Sequence, residues 1–388
     1  MTSEFAELLH RLRTDRGLSV RELAALAHCG KSHVHDLETG RRRPTPAVAR
    51  GLDDALAAGG RLTGTLCGTP PDHDESELEA LELARRVSVS DVSTETLERL
   101  DRAVDSLAMA YATTPPDELL RRVRRHLAYV STLIDARKTL AQQRRLLVAG
   151  GWLALLRATL HIDLRHHAAA DSFLATASQL AGQADHSEIA AWCLETKAWD
   201  VLTSGDFKAA LLLSQHAQTV APAGSSAFIQ ATAQEGRAWA RIGDRPRTRR
   251  VLDRVERLAD ARSKPDHPEH HYQYDPAKAR SYAATTLAWS GDPAAEVVAR
   301  EVIAELETDG ARPRRVASAR LDLSLALLAA GKLDEAAATA AEAIASGRIV
   351  PSNWWRAREV VTGVQRAGIA DAVELRDAYE SFRPRGSG

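Results

Sequence analysis

Residues 18–44, LSVRELAALAHCGKSHVHDLETGRRRP, constrain the fold more than any other stretch of the chain. Ser19 and Glu22 stand three apart at the front of a short apolar-periodic run, the pattern of a capping box at a helix start. Leu23, Ala24 and Ala27 supply one apolar face. His28-Cys29-Gly30 breaks the period, and a second helix opens near Lys31, with Val34 and Leu37 inward and Gly40 as its stop. Two helices of about eight residues, closed by Arg41, Arg42 and Arg43, make a hairpin with a basic edge suited to a polyanion.

Leu18, Ser19, Glu22, Leu23, Ala24, Ser32, Val34, Leu37, Glu38, Gly40, Arg41, Arg43 and Pro44 fall without a gap on the pattern of the Cro/repressor (XRE-type) helix-turn-helix family, which this stretch resembles. With flanking helices expected at 3–16 and 45–57, the resemblance covers residues 3–60. It implies that helix 19–27 crosses the phosphate backbone of duplex DNA and helix 31–38 enters the major groove. Lys31, Ser32, His33 and Asp36 would then face base edges. Lys31 can donate to guanine O6/N7 and Asp36 can accept from cytosine N4, each good contact contributing about 1–3 kcal/mol of discrimination. Arg41, Arg42 and Arg43 read as phosphate anchors, which give affinity and salt dependence but little sequence preference.

Three residues depart from the family pattern. Val20 replaces a glutamine that would contact the DNA backbone, and Gly30 replaces the serine that would cap the recognition helix. Asp36 brings a negative charge toward DNA unless it accepts from a base amino group. These weaken the expected affinity, not the fold. A helical domain that has lost DNA binding is the rival reading, and the arginine triplet argues against it. Cys29, His33 and His35 lack the tetrahedral partners of a zinc site, so Cys29 reads as a core cysteine and no metal or cofactor is expected.

A chain of 388 residues has room for two to three domains. Its 51 Lys+Arg against 52 Asp+Glu hide an asymmetry: residues 1–62 hold ten basic against eight acidic side chains, leaving a slightly acidic remainder. Cys29, Cys67 and Cys193 are too few and too scattered for a disulfide framework. No signal peptide opens the chain, and the longest apolar run, Leu146 to Leu156, is short of a bilayer span. A soluble cytoplasmic protein associated with the nucleoid, with no membrane partner, is expected.

The whole chain reads as all-α: a five-helix lambda-repressor-like head over residues 1–63, a Gly/Pro/acidic linker over 64–76, connecting helices over 77–145 and a helical body over 146–388. The connecting region predicts helices at 77–87, 94–112 and 117–145, with Thr113-Thr114-Pro115-Pro116 as a break. In the body, Gly205-Asp206, Gly243-Asp244, Gly291-Asp292 and Gly331-Lys332 recur at intervals of 38, 48 and 40, each between two helical stretches. GDFKAALLLSQHAQTVAP (205–222) and GKLDEAAATAAEAIASG (331–347) resemble the second-helix opening of tetratricopeptide repeats, with Ala210, Ala217, Ala336 and Ala343 at the small packing positions. A degenerate earlier copy spans 148–181, turning at Arg165-His166, so five helix pairs over about 145–350 are expected to stack as an α-solenoid.

That resemblance implies a concave face lined by the first helix of each pair. It places Trp152, Trp192, Glu195 and Trp199 there, followed by Arg237, Arg241, Lys278 and Trp289, whereas Trp239 falls at a packing position. Tryptophans and charges in one concavity suit a peptide or an amphipathic small molecule, though tryptophans also fill gaps between helices. The segment 266–274, DHPEHHYQY, carries His267, His270 and His271 but lies in the longest insert, so an exposed, poorly ordered loop is expected there. Trp354-Trp355 opens a terminal capping helix or a dimer contact. No HExxH, GxGxxG, Walker or GxSxG motif is present, and an enzyme is not expected.

The combination is similar to actinobacterial regulators that join an XRE-type head to a tetratricopeptide-like body. It implies a homodimer on a near-palindromic DNA operator, whose body binds a peptide or small-molecule signal. The alternative is a DNA-tethered docking scaffold in which the body recruits another protein and has no small effector.

Overall fold

Nineteen α-helices and no strand account for the regular structure of the described residues. The structure is a computed structural model, and it describes residues 2–66, 90–262, 267, 270–274, 276–309, 313–350, 353–369 and 371–382. The chain divides into two compact units, Met1–Ser88 and Val89–Gly388. The helix expected at 77–87 and the linker beyond residue 66 lie outside the described residues.

The first unit holds the five expected helices: α1 Thr2–Asp15, α2 Val20–Leu26, α3 Lys31–Glu38, α4 Pro46–Ala55 and α5 Arg61–Gly64. Its core is leucine-rich, with Phe5, Leu9, Leu23, Val34, Leu37, Leu52, Leu56 and Leu62 fully buried. Side-chain caps start α2 and α4. Ser19 Oγ accepts from Glu22 N at 3.2 Å while Glu22 Oε2 accepts from Ser19 N at 2.7 Å, closing the capping box of α2. Gly30 starts α3 with no side-chain cap, and Thr45 caps α4 ahead of Pro46. Buried Asp53 reaches from α4 to the start of α5, its oxygens accepting from Leu62 N and Thr63 N, both at 2.8 Å.

One ion pair ties the outer ends of this bundle together. Arg13 of α1 donates through Nε to Glu38 Oε1 at 2.5 Å and through Nη2 to Oε2 at 3.0 Å, with a third bond from Nη1 to Leu18 O at 2.7 Å. The side chains are 13% and 6% exposed, so this two-pronged pair is shielded and sits on the last residue of α3.

In the second unit α6 Thr94–Ala110 and α7 Pro116–Asp135 lead into α8 Leu140–Asp163 and α9 His167–Ala184. Four hairpin partners follow: α10 Ser187–Thr203 with α11 Phe207–Val220, and α12 Ser226–Ile242 with α13 Arg245–Asp260. Next come α14 Pro276–Ser290 with α15 Ala295–Asp309 and α16 Pro313–Ala329 with α17 Leu333–Ala345, before α18 Trp354–Ala367 and α19 Ala372–Phe382. The helix expected over 117–145 is therefore two. Ala136 takes an extended conformation, and Thr139 with Gln142 forms a fresh capping box that starts α8. That T-x-x-Q signal overrides the helical pattern on either side.

The glycines of the repeated dipeptides bend the chain. Gly205, Gly243, Gly291 and Gly331 take φ of 96°, 91°, 65° and 75°, the left-handed region in which a side chain would be strained. Asp206 and Asp244 then cap the next helix, accepting from Ala209 N and Arg247 N at 3.0 Å. Each helix packs on its neighbour, and α8, α10, α12, α14, α16 and α18 also pack on one another in a row. This is a repeat-like helical stack. Ala210, Ala217, Ala336 and Ala343 are all fully buried.

The row helices are apolar on most sides, as α8 shows. Its apolar run, expected to be too short for a bilayer, is the centre of a 24-residue helix that is long and apolar enough to cross one. It is instead enclosed by α6, α7, α9 and α10, and Leu153, Ala154, Leu155 and Leu156 are shielded on every face. By contrast α13, RPRTRRVLDRVERLAD, buries only the stripe Thr248, Val251, Val255 and Ala259 and turns its arginines outward.

Glu38→Ala leaves the shielded Arg13 guanidinium without its anion. Amide hydrogen exchange across α1–α3 should report an opening free energy lowered by about 2–3 kcal/mol. A change below about 0.5 kcal/mol, the scale of an exposed pair, would contradict the role given to this contact.

Candidate functional site

On the first unit, α3 presents Lys31 and Ser32 to solvent at its first turn, while His33 and Asp36 are half-buried beside Val34 and Leu37. His33 Nε2 is turned inward and has no hydrogen-bond partner. Arg41, Arg42 and Arg43 follow α3 as exposed residues, and the loop is held to the helix by Arg42 N donating to Asp36 O at 3.1 Å. Among the described residues, none of Lys31, Arg41, Arg42 and Arg43 has a carboxylate within 4.0 Å. Four unpaired cations therefore border one exposed helix start, which is the electrostatic footprint of a phosphate-binding edge. Cys29 is half-buried against the core of this unit, and burial raises its thiol pKa. Among the described residues no cluster of His, Cys, Asp or Glu is arranged to hold a metal ion.

The second unit holds a partly open cavity of about 220 Å³ along the row of even-numbered helices. Trp192, Glu195 and Trp199 of α10 line it, with Arg237 of α12 and Lys278 of α14. Those five of the eight residues expected on the concave face are brought together. The other three are not on its wall. Trp152 is packed against Tyr272, ring centroids 4.8 Å apart, in the core around α8. Trp289 lies behind the wall, where Arg237, Arg241 and Arg356 stack around it at 4.9, 5.3 and 5.3 Å. Arg241 is engaged by Glu359 at 3.3 Å.

Other wall residues carry no repeat signal. Asp322 of α16 meets Arg356 of α18, Nη1 to Oδ1 3.3 Å, and its second oxygen accepts from Thr285 Oγ1 at 2.5 Å. The Trp354-Trp355 segment, expected to be a cap or a dimer contact, opens α18; Trp354 is buried against Tyr379 and Trp355 sits 5.5 Å from Trp289. A second correction concerns the segment 266–274. His267 is exposed, but His270, Tyr272 and Tyr274 are buried. Tyr272 wedges between Trp152 and Trp192, and His271 lies 4.1 Å from Tyr111. Aromatic stacking in a water-poor cleft outweighs the polarity that predicted a surface loop. His271 also lines the cavity, and burial, with Lys278 and His270 close by, holds its pKa well below the usual histidine range.

Glu195 is the main titrating group of the wall. It is 4% exposed and accepts from Gln230 Nε2 at 2.9 Å. Burial pushes its pKa up to about 7, with the Gln230 bond and the nearby Arg237 and Lys278 charges opposing. Burial likewise raises Asp322 above the usual carboxylate range, against the pull of Arg356. The cavity is therefore cation-rich at neutral pH.

A carboxyl whose pKa is raised on folding stabilises the fold below its unfolded pKa and loses that contribution as pH rises through the folded value. For Glu195 the loss between about pH 6 and about pH 8 is about 1 kcal/mol. All seven tryptophans lie in the second unit, so urea unfolding followed by their fluorescence isolates it. Glu195→Gln should flatten the fall in stability over that window by this amount, and an unchanged pH slope would contradict the assignment.

By sequence, the family described as a helix-turn-helix domain matches residues 4–66, the span of α1–α5 and the turn that follows. No curated protein matches the chain. Residues 4–66 thus carry a helix-turn-helix domain, the DNA-binding head of a regulator.

Proposed function

We propose that this chain is a sequence-specific transcription regulator of Cro/repressor (XRE) type with a tetratricopeptide-like body, acting as a homodimer on a near-palindromic operator. The observation that carries the reading is the exposed start of α3, with Lys31 and Ser32 forward and three unpaired arginines behind it. A helix presented this way fits a major groove, Lys31 and Ser32 reading base edges and Arg41, Arg42 and Arg43 holding phosphates. His33 and Asp36, set lower on the helix, would touch bases only at its flank. Two such heads on half-sites about 34 Å apart read one face of the duplex.

The body would serve as the sensor. Its cavity is lined by charged and aromatic groups from α10, α12, α14, α16 and α18, so an occupant touches five helices at once. A ligand that favours one arrangement of that row shifts the population of dimers able to hold both half-sites. Nothing in this scheme calls for catalysis, cofactor or membrane, and a cytoplasmic, nucleoid-bound protein is the reading that fits it.

DNA titrations across a salt series test the interface. Arg42→Ala should lower affinity for every sequence and reduce the slope of log K against log salt by about one phosphate contact. Lys31→Ala should relax preference at one operator position at a cost of about 1–3 kcal/mol there. Equal behaviour of the two variants on all sequences would sink the assignment of base reading to α3. For the sensor role, a low-mass extract of the source cells should shift the full chain's operator affinity; an extract without effect would leave the body as a docking scaffold.

A further inference from the structure

We propose that the cavity binds a small aromatic carboxylate, with its acid group seated against the guanidinium groups of Arg237 and Arg356. This rests on the reading of the cavity as a ligand site and names the chemistry of its occupant.

The starting point is a buried guanidinium with no carboxylate oxygen within 4.0 Å among the described residues. Arg237 is 5% exposed, yet its one hydrogen bond is to Gln234 Oε1 at 3.5 Å, and its Nε has no acceptor. Its guanidinium carbon lies over the rings of Tyr282 and Trp289, at 4.4 and 4.9 Å from the ring centres. Two aromatic neighbours hold the guanidinium in place, and the residue lines the cavity. Removing an ion from water without a partner is costly, so a folded protein seldom keeps one unless something else completes the pair.

Arg356 makes the deficit larger. It is 3% exposed, shares the Trp289 ring at 5.3 Å, and meets Asp322 through a single 3.3 Å contact, while its Nε also lacks an acceptor. Asp322 already accepts from Thr285, so one carboxylate faces two guanidiniums. Glu195, across the wall, is held near half-protonation at neutral pH and supplies no full countercharge. An incoming carboxylate adds the negative charge that these two cavity-lining guanidiniums lack.

The charged groups around this point are mostly donors. Six arginine and lysine side chains line the cavity against three carboxyls, Asp163, Glu195 and Asp322. A peptide brings as many donors as acceptors and would leave this surplus in place, whereas a carboxylate brings acceptors alone. Size agrees. A cavity of about 220 Å³ exceeds the roughly 150 Å³ that accommodates benzene in an engineered core, leaving room for one ring and an acid group. Trp192, Trp199 and Tyr111 line the cavity and give that ring aromatic neighbours.

Calorimetric titration of the full chain with benzoate and indole-3-acetate, beside benzamide and indole-3-acetamide, tests the proposal. At least one acid should bind saturably at one per chain, and its amide should bind at least tenfold more weakly. Arg237→Met should weaken that acid at least tenfold and, by removing an uncompensated buried charge, should not lower the unfolding temperature of the ligand-free protein. The acid-against-amide comparison on the unaltered chain stands whether or not the variant folds. Absence of acid binding, equal affinity for acid and amide, or an Arg237→Met variant that binds the acid as before would each overturn the proposal. Inorganic phosphate saturating the same site as tightly as the acids would overturn its organic half. Operator binding is read in parallel on the same protein. Failure of the acids while a cell extract still shifts operator affinity rejects the ligand class and leaves the sensor reading intact.

Discussion

Left-handed glycines at the hairpin turns are the constraint from which the second unit follows. Gly205, Gly243, Gly291 and Gly331 each stop one helix and redirect the chain, and a capping residue or backbone turn starts the next helix back along the first. Repeating that step puts every second helix in one row. The row in turn brings together side chains from positions 111 to 356, over most of the unit's sequence, around one cavity. No single hairpin could assemble that wall.

The two units treat buried charge in opposite ways. In the head, Arg13 and Glu38 satisfy one another through two hydrogen bonds, and the shielded pair fixes the end of α3. The cations meant for solvent, Lys31 and Arg41 to Arg43, are left outside and unpaired. In the body, Arg237 is inside and unpaired, and Arg356 is half-matched by Asp322. Exposed unpaired arginines cost little and wait for a polyanion; a buried one is costly and marks where a ligand's charge would be placed. Stability and recognition are thus separated within each unit.

Much of this was legible in the sequence because it is written in local chemistry. The capping box of Ser19 and Glu22, the Gly-Asp turns and the alanines at 210, 217, 336 and 343 act over a few residues, and each sits where its pattern placed it. What escaped notice depends on residues distant in the chain. Glu38 reads as one letter of the helix-turn-helix pattern, whereas its partner Arg13 stands 25 residues earlier. Asp322 and Arg356 meet across 34 residues with no periodic cue, and the tyrosines of 266–274 look like loop residues until Trp152 and Trp192 enclose them. Arg137-Lys138-Thr139 hid a break because polar residues continue a helical pattern on the solvent side while Thr139 caps a new helix. Five of the eight expected concave residues line the cavity, since that expectation rested on repeat phase, which survives small insertions only locally.

The account stands on a head that reads duplex DNA in pairs. Footprinting the purified full-length chain on fragmented genomic DNA at low ionic strength tests this most directly. The account predicts protected sites composed of two related half-sites about one helical turn apart, with protection fading steeply as salt rises. Protection scattered without a shared half-site, or no protection at any salt concentration, would contradict it.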